Sequence, residues 1–173
     1  MRILLDDKGI RQTLERLARE IAGSIPPDCA VGLIGIRRRG DELARRILPI
    51  LATEGVRDVA YGCLDITLYR DDLAEIGPAA VVRTTEIEFD VGGRYIVLVD
   101  DVLYTGRSVR AALAAINDLG RPKAIRLAIL VDRGGRELPI QPDFVGVKTK
   151  SETEHVTVRL IGSDGVDRVE ASE

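Results

Sequence analysis

Two adjacent aspartates, Asp100 and Asp101, follow a run of apolar residues and precede a turn of small and hydroxyl side chains. The stretch reads IVLVDDVLYTGRS over residues 96–108. Two like charges at the end of an otherwise apolar strand need partners, because a buried carboxylate is costly unless it is paired or hydrogen-bonded. Ribose hydroxyls or a Mg²⁺ ion suit carboxylates in this role. Both kinds of partner are therefore possible for the pair.

The turn that follows has the residue types that bind phosphate. Thr105 and Ser108 offer hydroxyl donors, and Gly106 lets the backbone approach a ligand closely. A helix predicted from Val109 onward begins with N–H groups that lack intrahelical partners and attract anions. A lone aspartate pair is more often a solvated cap of a turn, but the complete order of strand, acidic pair, Thr-Gly turn and helix favours a sugar phosphate.

A basic run, GIRRRGDE over residues 35–42, follows an earlier apolar run. Three arginines and a glycine at the carboxyl end of a strand suit a diphosphate. Such a run alone is more often a solvated turn. Its predicted place at the same sheet edge as the aspartates favours the functional interpretation, because ligands bind at the carboxyl ends of strands in open α/β sheets.

These residues need a parallel sheet to bring them together, and the hydrophobic pattern predicts one. Short apolar runs typical of buried strands alternate with apolar residues at helical spacing, which indicates an α/β fold with helices on both faces of the sheet. The predicted strands cover residues 30–36, 59–66, 94–100 and 124–132, with an alternating edge strand at 155–162. The predicted helices include residues 10–21, 43–51 and 109–119.

The length and composition set limits on the class of protein. The chain has 173 residues and a net charge of −3, so we expect a single domain over residues 1–173 whose overall charge does not drive polyanion binding. No apolar run is long enough to span a bilayer. The two cysteines, Cys29 and Cys63, lie among apolar residues and predict buried free thiols in a reducing cytoplasm.

Four stretches of the sequence resemble one family over nearly the whole chain. The stretch at 97–113 resembles the phosphoribosyl pyrophosphate (PRPP) motif of type I phosphoribosyltransferases, and the others are DITLYRDDL at 65–73, LGRPKAIRLAILVDRG at 119–134 and RELPI at 136–140. Together they are most similar to the PyrR family of pyrimidine operon regulators and uracil phosphoribosyltransferases. The resemblance implies the type I fold: a central, mostly parallel sheet flanked by helices, a flexible loop or hairpin arm over about residues 68–94, and a small hood.

The resemblance also implies roles for individual residues. Asp100 and Asp101 would be catalytic, would hold the ribose diol, and would contact Mg²⁺ indirectly. The pyrophosphate would meet Arg39, Gly40 and, from the flexible loop, Arg70, whereas Arg38 has no assigned role. Uracil would be read largely by backbone groups of Val131, Asp132 and Arg133, although Asp132 could equally cap its strand. The 5′-phosphate and the rest of PRPP would contact Val102, Leu103, Tyr104, Thr105, Gly106, Arg107 and Ser108.

The activity implied by the resemblance is the conversion of uracil and PRPP to UMP and pyrophosphate with Mg²⁺. Little acid–base chemistry would be required, so catalysis would rest on positioning and electrostatics. The family also implies a cytoplasmic homodimer or larger homo-oligomer. A purine phosphoribosyltransferase is disfavoured by the DITLYRDDL stretch, and a nucleotide sensor with little activity is left open.

A second implied function is UMP-responsive binding of pyrimidine leader mRNA. Arg19 and Arg136 are the candidate RNA contacts, because RNA affinity depends on basic side chains. The sequence departs from RNA-binding members at Gly135 and Gln141, where those members tend to carry basic residues. An enzyme alone and an enzyme that is also a regulator are therefore both compatible with the sequence.

Overall fold

A computed structural model describes residues 1–67 and 85–173 of the chain. The helices of this part are α1 (Asp7–Ser24), α2 (Arg39–Thr53), α3 (Arg107–Leu119) and the one-turn α4 (Ile161–Asp164). The strands are β1 (Arg2–Leu5), β2 (Val31–Ile36), β3 (Ala60–Leu64), β4 (Tyr95–Leu103), β5 (Ala124–Asp132), β6 (Phe144–Lys148), β7 (His155–Arg159) and β8 (Arg168–Ser172).

The central sheet has five strands in the order β3-β2-β4-β5-β6, and every neighbouring pair is parallel. The predicted parallel sheet with flanking helices is therefore confirmed. The order puts β4 in the middle, between β2 and β5, so the carboxyl ends of these three strands meet at one edge. Strand β6 was not predicted, because most of its side chains are only half-buried and give no clear apolar run.

Helices cover both faces of the central sheet. Successive side chains of a strand point to opposite faces, so each strand packs against helices on both sides. Leu33 of β2 and Val97 of β4 pack with α1 and α2, whereas Ile34 and Leu98, their chain neighbours, pack with α3. The strands are buried on both faces, so they read as continuous apolar runs rather than as alternating ones. This double burial makes the strand framework around the site rigid.

A second, smaller sheet has three antiparallel strands in the order β1-β8-β7 and corresponds to the predicted hood. Strand β7 lies at its edge, as its alternating sequence predicts. Strands β1 and β8 were not predicted. Arg2 pairs with Ala171 in this sheet, so distant parts of the chain are joined there.

The segment predicted as a loop and arm, residues 68–94, falls only partly in the described structure, which resumes at residue 85. Glu86 forms an antiparallel bridge with Cys63 of β3, with backbone bonds of 2.9 and 3.0 Å. The Phe89 ring lies against Gly32 of β2 and Gly62 of β3, where a Cβ would come within 2.9 and 3.3 Å of ring carbons. The return of the arm thus packs on the edge strand β3 and on its neighbour β2.

Two minor expectations concern the cysteines and the membrane. Both cysteines are free, and Cys63 is buried as predicted, but Cys29 is only half-buried because it lies in the turn before β2. None of the helices in residues 1–67 and 85–173 combines the length and apolarity that crossing a bilayer requires.

Candidate active site

The acidic pair lies within β4 rather than after it. The strand was predicted to end at Asp100, but it continues to Leu103, because Val102 and Leu103 still pair with β5. Asp100 is 8% exposed and Asp101 is half-buried. Asp100 Oδ1 accepts a bond of 2.9 Å from its neighbour's N–H, and Asp101 Oδ1 accepts one of 2.8 Å from the Val102 N–H. The two carboxylates are held in place by their own backbone.

Burial raises the pKa of the Asp100 carboxyl well above its usual range, and the adjacent charge of Asp101 raises it further. One backbone N–H, that of Asp101, offsets part of this effect. A carboxylate with so little solvation gains from hydroxyl donors or a cation. Its environment is therefore suited to a ligand that carries both.

A cavity of about 370 Å³ opens beside the acidic pair, at the carboxyl ends of β2, β3 and β4. It brings together Asp100, Asp101, Val102, Ser108 and Arg39 from the predicted site, on three separate stretches of chain. Several residues without a predicted role also line it. The full lining is Ile36, Arg37, Arg38, Arg39, Asp65, Ile66, Thr67, Asp100, Asp101, Val102 and Ser108.

The arginines of this cavity come from the connection between β2 and α2. The Arg37–Arg38 peptide bond is cis. Arg37 lies 3.5 Å from the Glu86 carboxylate, and its Nη2 is 2.8 Å from Cys63 Sγ. Arg38 is exposed, yet it borders the cavity. All three arginines line this cavity at the carboxyl edge of the sheet, so the basic run is not only a solvated turn.

Gly40 does not line the cavity, but it allows α2 to start against β4. A Cβ at Gly40 would lie 2.4 Å from the Val99 carbonyl oxygen and 3.2 Å from Asp100 Oδ1. Any side chain there would push the arginine connection away from the acidic pair. The glycine therefore sets the distance between the two charged parts of the site.

The predicted phosphate turn leads from β4 into α3, beyond the cavity proper. Gly106 has a φ of +94°, in the left-handed region that favours glycine. The Thr105 hydroxyl accepts a bond of 3.3 Å from the Arg107 N–H, and Arg107 forms an ion pair of 2.9 Å with Glu137. Ser108 in the first turn of α3 is exposed and reaches the cavity. The turn thus leads directly into the N-terminus of α3, a kind of position that favours anions in general.

The predicted uracil contacts lie one strand away, where Asp132 of β5 pairs with Leu103 of β4. The Arg133 N–H donates to the Leu103 carbonyl at 2.9 Å, and the Arg133 carbonyl accepts from the Thr149 hydroxyl at 3.0 Å. The Arg133 guanidinium stacks 3.9 Å from the centre of the Tyr104 ring. These backbone groups already have partners within the protein, so their use by uracil stays a prediction.

The two candidate RNA contacts differ in their surroundings. Arg136 donates to Asp132 Oδ1 at 2.8 Å and to the carbonyls of Ile140 and Tyr104 at 2.9 and 3.0 Å. Its guanidinium therefore ties the loop after β5 to the phosphate turn. Arg19 is exposed on α1. Arg70 lies outside the described residues.

A second cavity, of about 620 Å³, lies on the other side of Arg37 and Arg38. Two of its arginines are neutralised locally, because Arg45 pairs with Asp41 at 3.2 Å and Arg46 pairs with Asp167 at 2.9 Å. It also lacks the acidic pair and the phosphate turn. The smaller cavity is therefore the better fit to a sugar phosphate.

Comparison with known proteins identifies the family. A model of the phosphoribosyl transferase domain matches residues 2–160. The Bifunctional protein PyrR of Pelotomaculum thermopropionicum is 53% identical over 167 residues, covering 96% of this chain and 92% of the relative. The Bifunctional protein PyrR of Roseiflexus sp. is 55% identical over 164 residues, covering 94% and 89%. This chain belongs to the PyrR family.

A solved structure supports the fold of this PyrR-family chain. The hypoxanthine phosphoribosyltransferase of Trypanosoma cruzi superposes with a TM-score of 0.77 at 18% identity, covering all of this chain and 95% of that one. At this identity the likeness shows the fold alone. The predicted type I fold, the family and the identity of the chain as a phosphoribosyltransferase are confirmed.

In this PyrR-family chain, Asp65 and Thr67 are site residues that the sequence interpretation missed. Asp65 Oδ1 accepts from the Thr67 N–H at 2.9 Å and from its hydroxyl, while Oδ2 is buried with no hydrogen-bond partner among the described residues. Asp65 is the first residue of the DITLYRDDL stretch, and the resemblance of that stretch to the family was the available signal. The local sequence does not show that Asp65 and Asp101 line the same cavity.

The donor set fits Mg²⁺ that arrives with its substrate. Carboxylate oxygens of Asp65 and Asp101 are hard ligands of the kind that Mg²⁺ prefers. Within residues 1–67 and 85–173, however, there is no group of three or more His, Cys, Asp or Glu side chains that could hold a metal ion. Mg²⁺ usually keeps several waters and binds through one or two carboxylates and substrate phosphates. The buried Asp65 Oδ2, which accepts no hydrogen bond from any residue that the structure describes, agrees with that mode.

Proposed function

We propose that this chain transfers the 5-phosphoribosyl group of PRPP to uracil and releases pyrophosphate, forming UMP. The observation that carries the proposal is the cavity in which the acidic pair, the first turn of α3 and three arginines meet. Carboxylates suit the ribose diol, the α3 N-terminus suits the 5′-phosphate, and guanidinium groups suit pyrophosphate. A single ligand, PRPP, has all three parts.

The chemistry follows from the charges of the site. The bond between the anomeric carbon and the pyrophosphate oxygen breaks, and its electron pair leaves with pyrophosphate. Uracil N1 bonds to the anomeric carbon, and the N1 proton passes to solvent. The ring carries positive charge while one bond breaks and the other forms, as in glycoside chemistry. Asp100 and Asp101 stabilise that charge, and the arginines stabilise the leaving anion.

Mg²⁺ that binds together with PRPP would supply positive charge beside the pyrophosphate. Asp65 and Asp101 are the residues that would hold it, through water. In the same proposal, Arg70 contacts the pyrophosphate, Gly40 lets α2 bring Arg39 close to the acidic pair, and backbone groups at Val131–Arg133 read uracil. The protein acts as a single domain in the cytoplasm and as a homo-oligomer.

The test is to incubate purified protein with PRPP, Mg²⁺ and uracil and to measure UMP. The Asp100→Asn, Asp101→Asn double variant is the matched control, because it removes the acidic pair with little change in shape. We expect turnover by the natural chain and a loss of about 100-fold or more in the control. Parallel reactions with hypoxanthine and guanine test the purine alternative, and turnover of a purine base but not uracil would overturn the proposal.

A second proposed function is UMP-responsive binding of a pyrimidine leader mRNA. It is favoured by identity above 50% to relatives named Bifunctional protein PyrR, which cover nearly the whole chain. Filter binding of the leader RNA of the source genome, with and without UMP, is the measurement. We expect tighter binding with UMP. Equal, weak binding in both conditions would leave the enzyme as the only function.

A further inference from the structure

A residue far along the chain holds the first arginine of α2 in place at the cavity. The Arg39 guanidinium donates to both oxygens of the Asp164 carboxylate, from Nε at 3.1 Å and from Nη2 at 2.8 Å. Two parallel bonds fix the plane of the guanidinium as well as its position. Nη1 takes no part in the pair, so one edge of Arg39 can still meet an anion in the cavity.

Asp164 is itself fixed by its turn. Its Oδ2 accepts a second bond, of 2.9 Å, from the Leu160 N–H, and the backbone N–H of Asp164 donates to the Leu160 carbonyl. The hydrogen bond from Arg39, helped by that of the Leu160 N–H, lowers the pKa of the Asp164 carboxyl. The carboxylate is therefore charged throughout the neutral range.

The turn that carries Asp164 is docked along one face of α2. We call residues 160–167 the C-terminal brace. Glu42 accepts bonds of 2.8 Å from the Gly162 N–H and from the Ser163 hydroxyl. One turn further along, Arg46 pairs with Asp167 at 2.9 Å. Arg39, Glu42 and Arg46 are spaced three and four residues apart, so they share one face of the helix.

We propose that Asp164 is a positioning residue for pyrophosphate recognition, acting by holding the Arg39 guanidinium at the edge of the cavity. The proposal rests on the proposed phosphoribosyl transfer and adds to it a residue outside the PRPP motif. Without the Asp164 carboxylate, the Arg39 side chain would sample several rotamers. Restricting it to one rotamer when PRPP binds would cost entropy, so PRPP binding would be weaker. Uracil lies on the β5 side of the site in the proposed function, so its binding should not change.

The chain supplies a matched control for this proposal. Asp164→Asn removes the charge of the pair with Arg39, whereas Asp167→Asn removes the charge of the pair with Arg46, which joins the same brace to the same helix. A merely structural role predicts the same effect from both variants. A positioning role predicts an effect on pyrophosphate binding from Asp164→Asn only.

The experiment is calorimetric titration of Mg²⁺-pyrophosphate and Mg²⁺-PRPP without uracil, followed by KM measurements. We expect Asp164→Asn to weaken both ligands and to raise the KM of PRPP by about fivefold to tenfold, with the KM of uracil within about twofold. Asp164→Glu should recover most of the affinity, and Asp167→Asn should bind as the natural chain does. In an Arg39→Gln background, Asp164→Asn should have no further effect.

Two results would overturn the proposal. Unchanged or tighter pyrophosphate binding by Asp164→Asn would mean that the carboxylate competes with the ligand for Arg39. Equal weakening in both asparagine variants would assign the brace to stability alone. If Asp164→Asn does not fold, Asp164→Ser, which also removes the carboxylate of the bidentate pair but leaves Arg39 itself unchanged, takes its place in the same titrations. Because binding is measured without uracil, a natural chain that binds PRPP but does not form UMP would refute only the proposed function.

Discussion

Asp100 is a single residue at which the stability of the folded protein conflicts with the proposed function of the site. Its carboxyl is buried, its neighbour carries the same charge, and both effects raise its pKa. The folded state therefore binds this proton more tightly than the unfolded state. Because stability falls with rising pH wherever the folded state binds more protons, Asp100 costs stability at neutral pH. This cost at neutral pH agrees with the proposed role of Asp100 in binding the ribose diol.

Replacing Asp100 with asparagine should stabilise the protein while removing activity. We expect Asp100→Asn to raise the Tm at pH 7 by about 2–4 °C for each kcal/mol gained, and the gain should vanish below about pH 4, where an ordinary aspartate is also protonated. Thermal unfolding of both proteins across pH is the measurement. Asp101→Asn, which leaves the buried carboxyl in place, should give a smaller gain. An unchanged or lower Tm for Asp100→Asn at pH 7 would contradict this account.

At the scale of elements, the loop after β5 and the turn after β4 behave as one unit. Arg136 joins them by bonding Asp132 and the Tyr104 carbonyl, and the Thr105 carbonyl accepts from two further N–H groups of that loop, those of Glu137 and Leu138, at 3.0 and 3.1 Å. The parts predicted to bind base and phosphate are therefore hydrogen-bonded to each other. A movement of one part would move the other.

Removing the Arg136 guanidinium should loosen both parts. We expect Arg136→Gln to lower the free energy of unfolding by about 1–3 kcal/mol, because several carbonyls and a carboxylate lose their donor, and to raise the KM of PRPP. Denaturant unfolding and steady-state kinetics are the measurements, with Arg19→Gln as an exposed-arginine control. Unchanged stability and KM with lost RNA binding would show that Arg136 serves RNA and not the loops.

The sequence predicted strands β2, β3, β4 and β5 and the alternating edge strand β7, and it missed three other short strands. Strands β2, β4 and β5 are continuous apolar runs, and their helices follow at helical spacing, so the edge carrying the acidic pair was predictable. Strands β1, β6 and β8 are short and mostly half-buried or irregular in pattern, so they gave no signal. The Arg39–Asp164 pair spans 125 residues of sequence, and local spacing cannot reveal such a contact.

At the scale of the whole molecule, net charge and RNA binding must be reconciled. A chain with a net charge of −3 has no overall attraction for RNA. Any RNA affinity must therefore come from a local group of cations such as the exposed face of α1. The dependence of binding on salt measures how many cations take part, since each phosphate contact contributes to the slope.

If α1 contacts RNA, Arg19→Gln should weaken leader RNA binding in UMP and reduce the salt slope by about one. Filter binding over a series of salt concentrations is the measurement, with thermal unfolding to check the fold. Arg57→Gln, at an exposed arginine in the turn before β3, is the control and should leave the slope unchanged. An identical slope in both variants would exclude Arg19 from the RNA interface.

Because β1 pairs with β8, the order of the elements along the chain could be changed by circular permutation. Residues 2 and 171 are opposite each other in one sheet, so a short linker could join them without moving any described element. New ends could be opened at the exposed turn around Gly55, where a side chain would meet nothing within 4 Å. Such a circular permutant would keep the strand edge, the acidic pair and the brace in their present places. The site depends on which strands are neighbours in the sheet and not on the order of those strands along the chain.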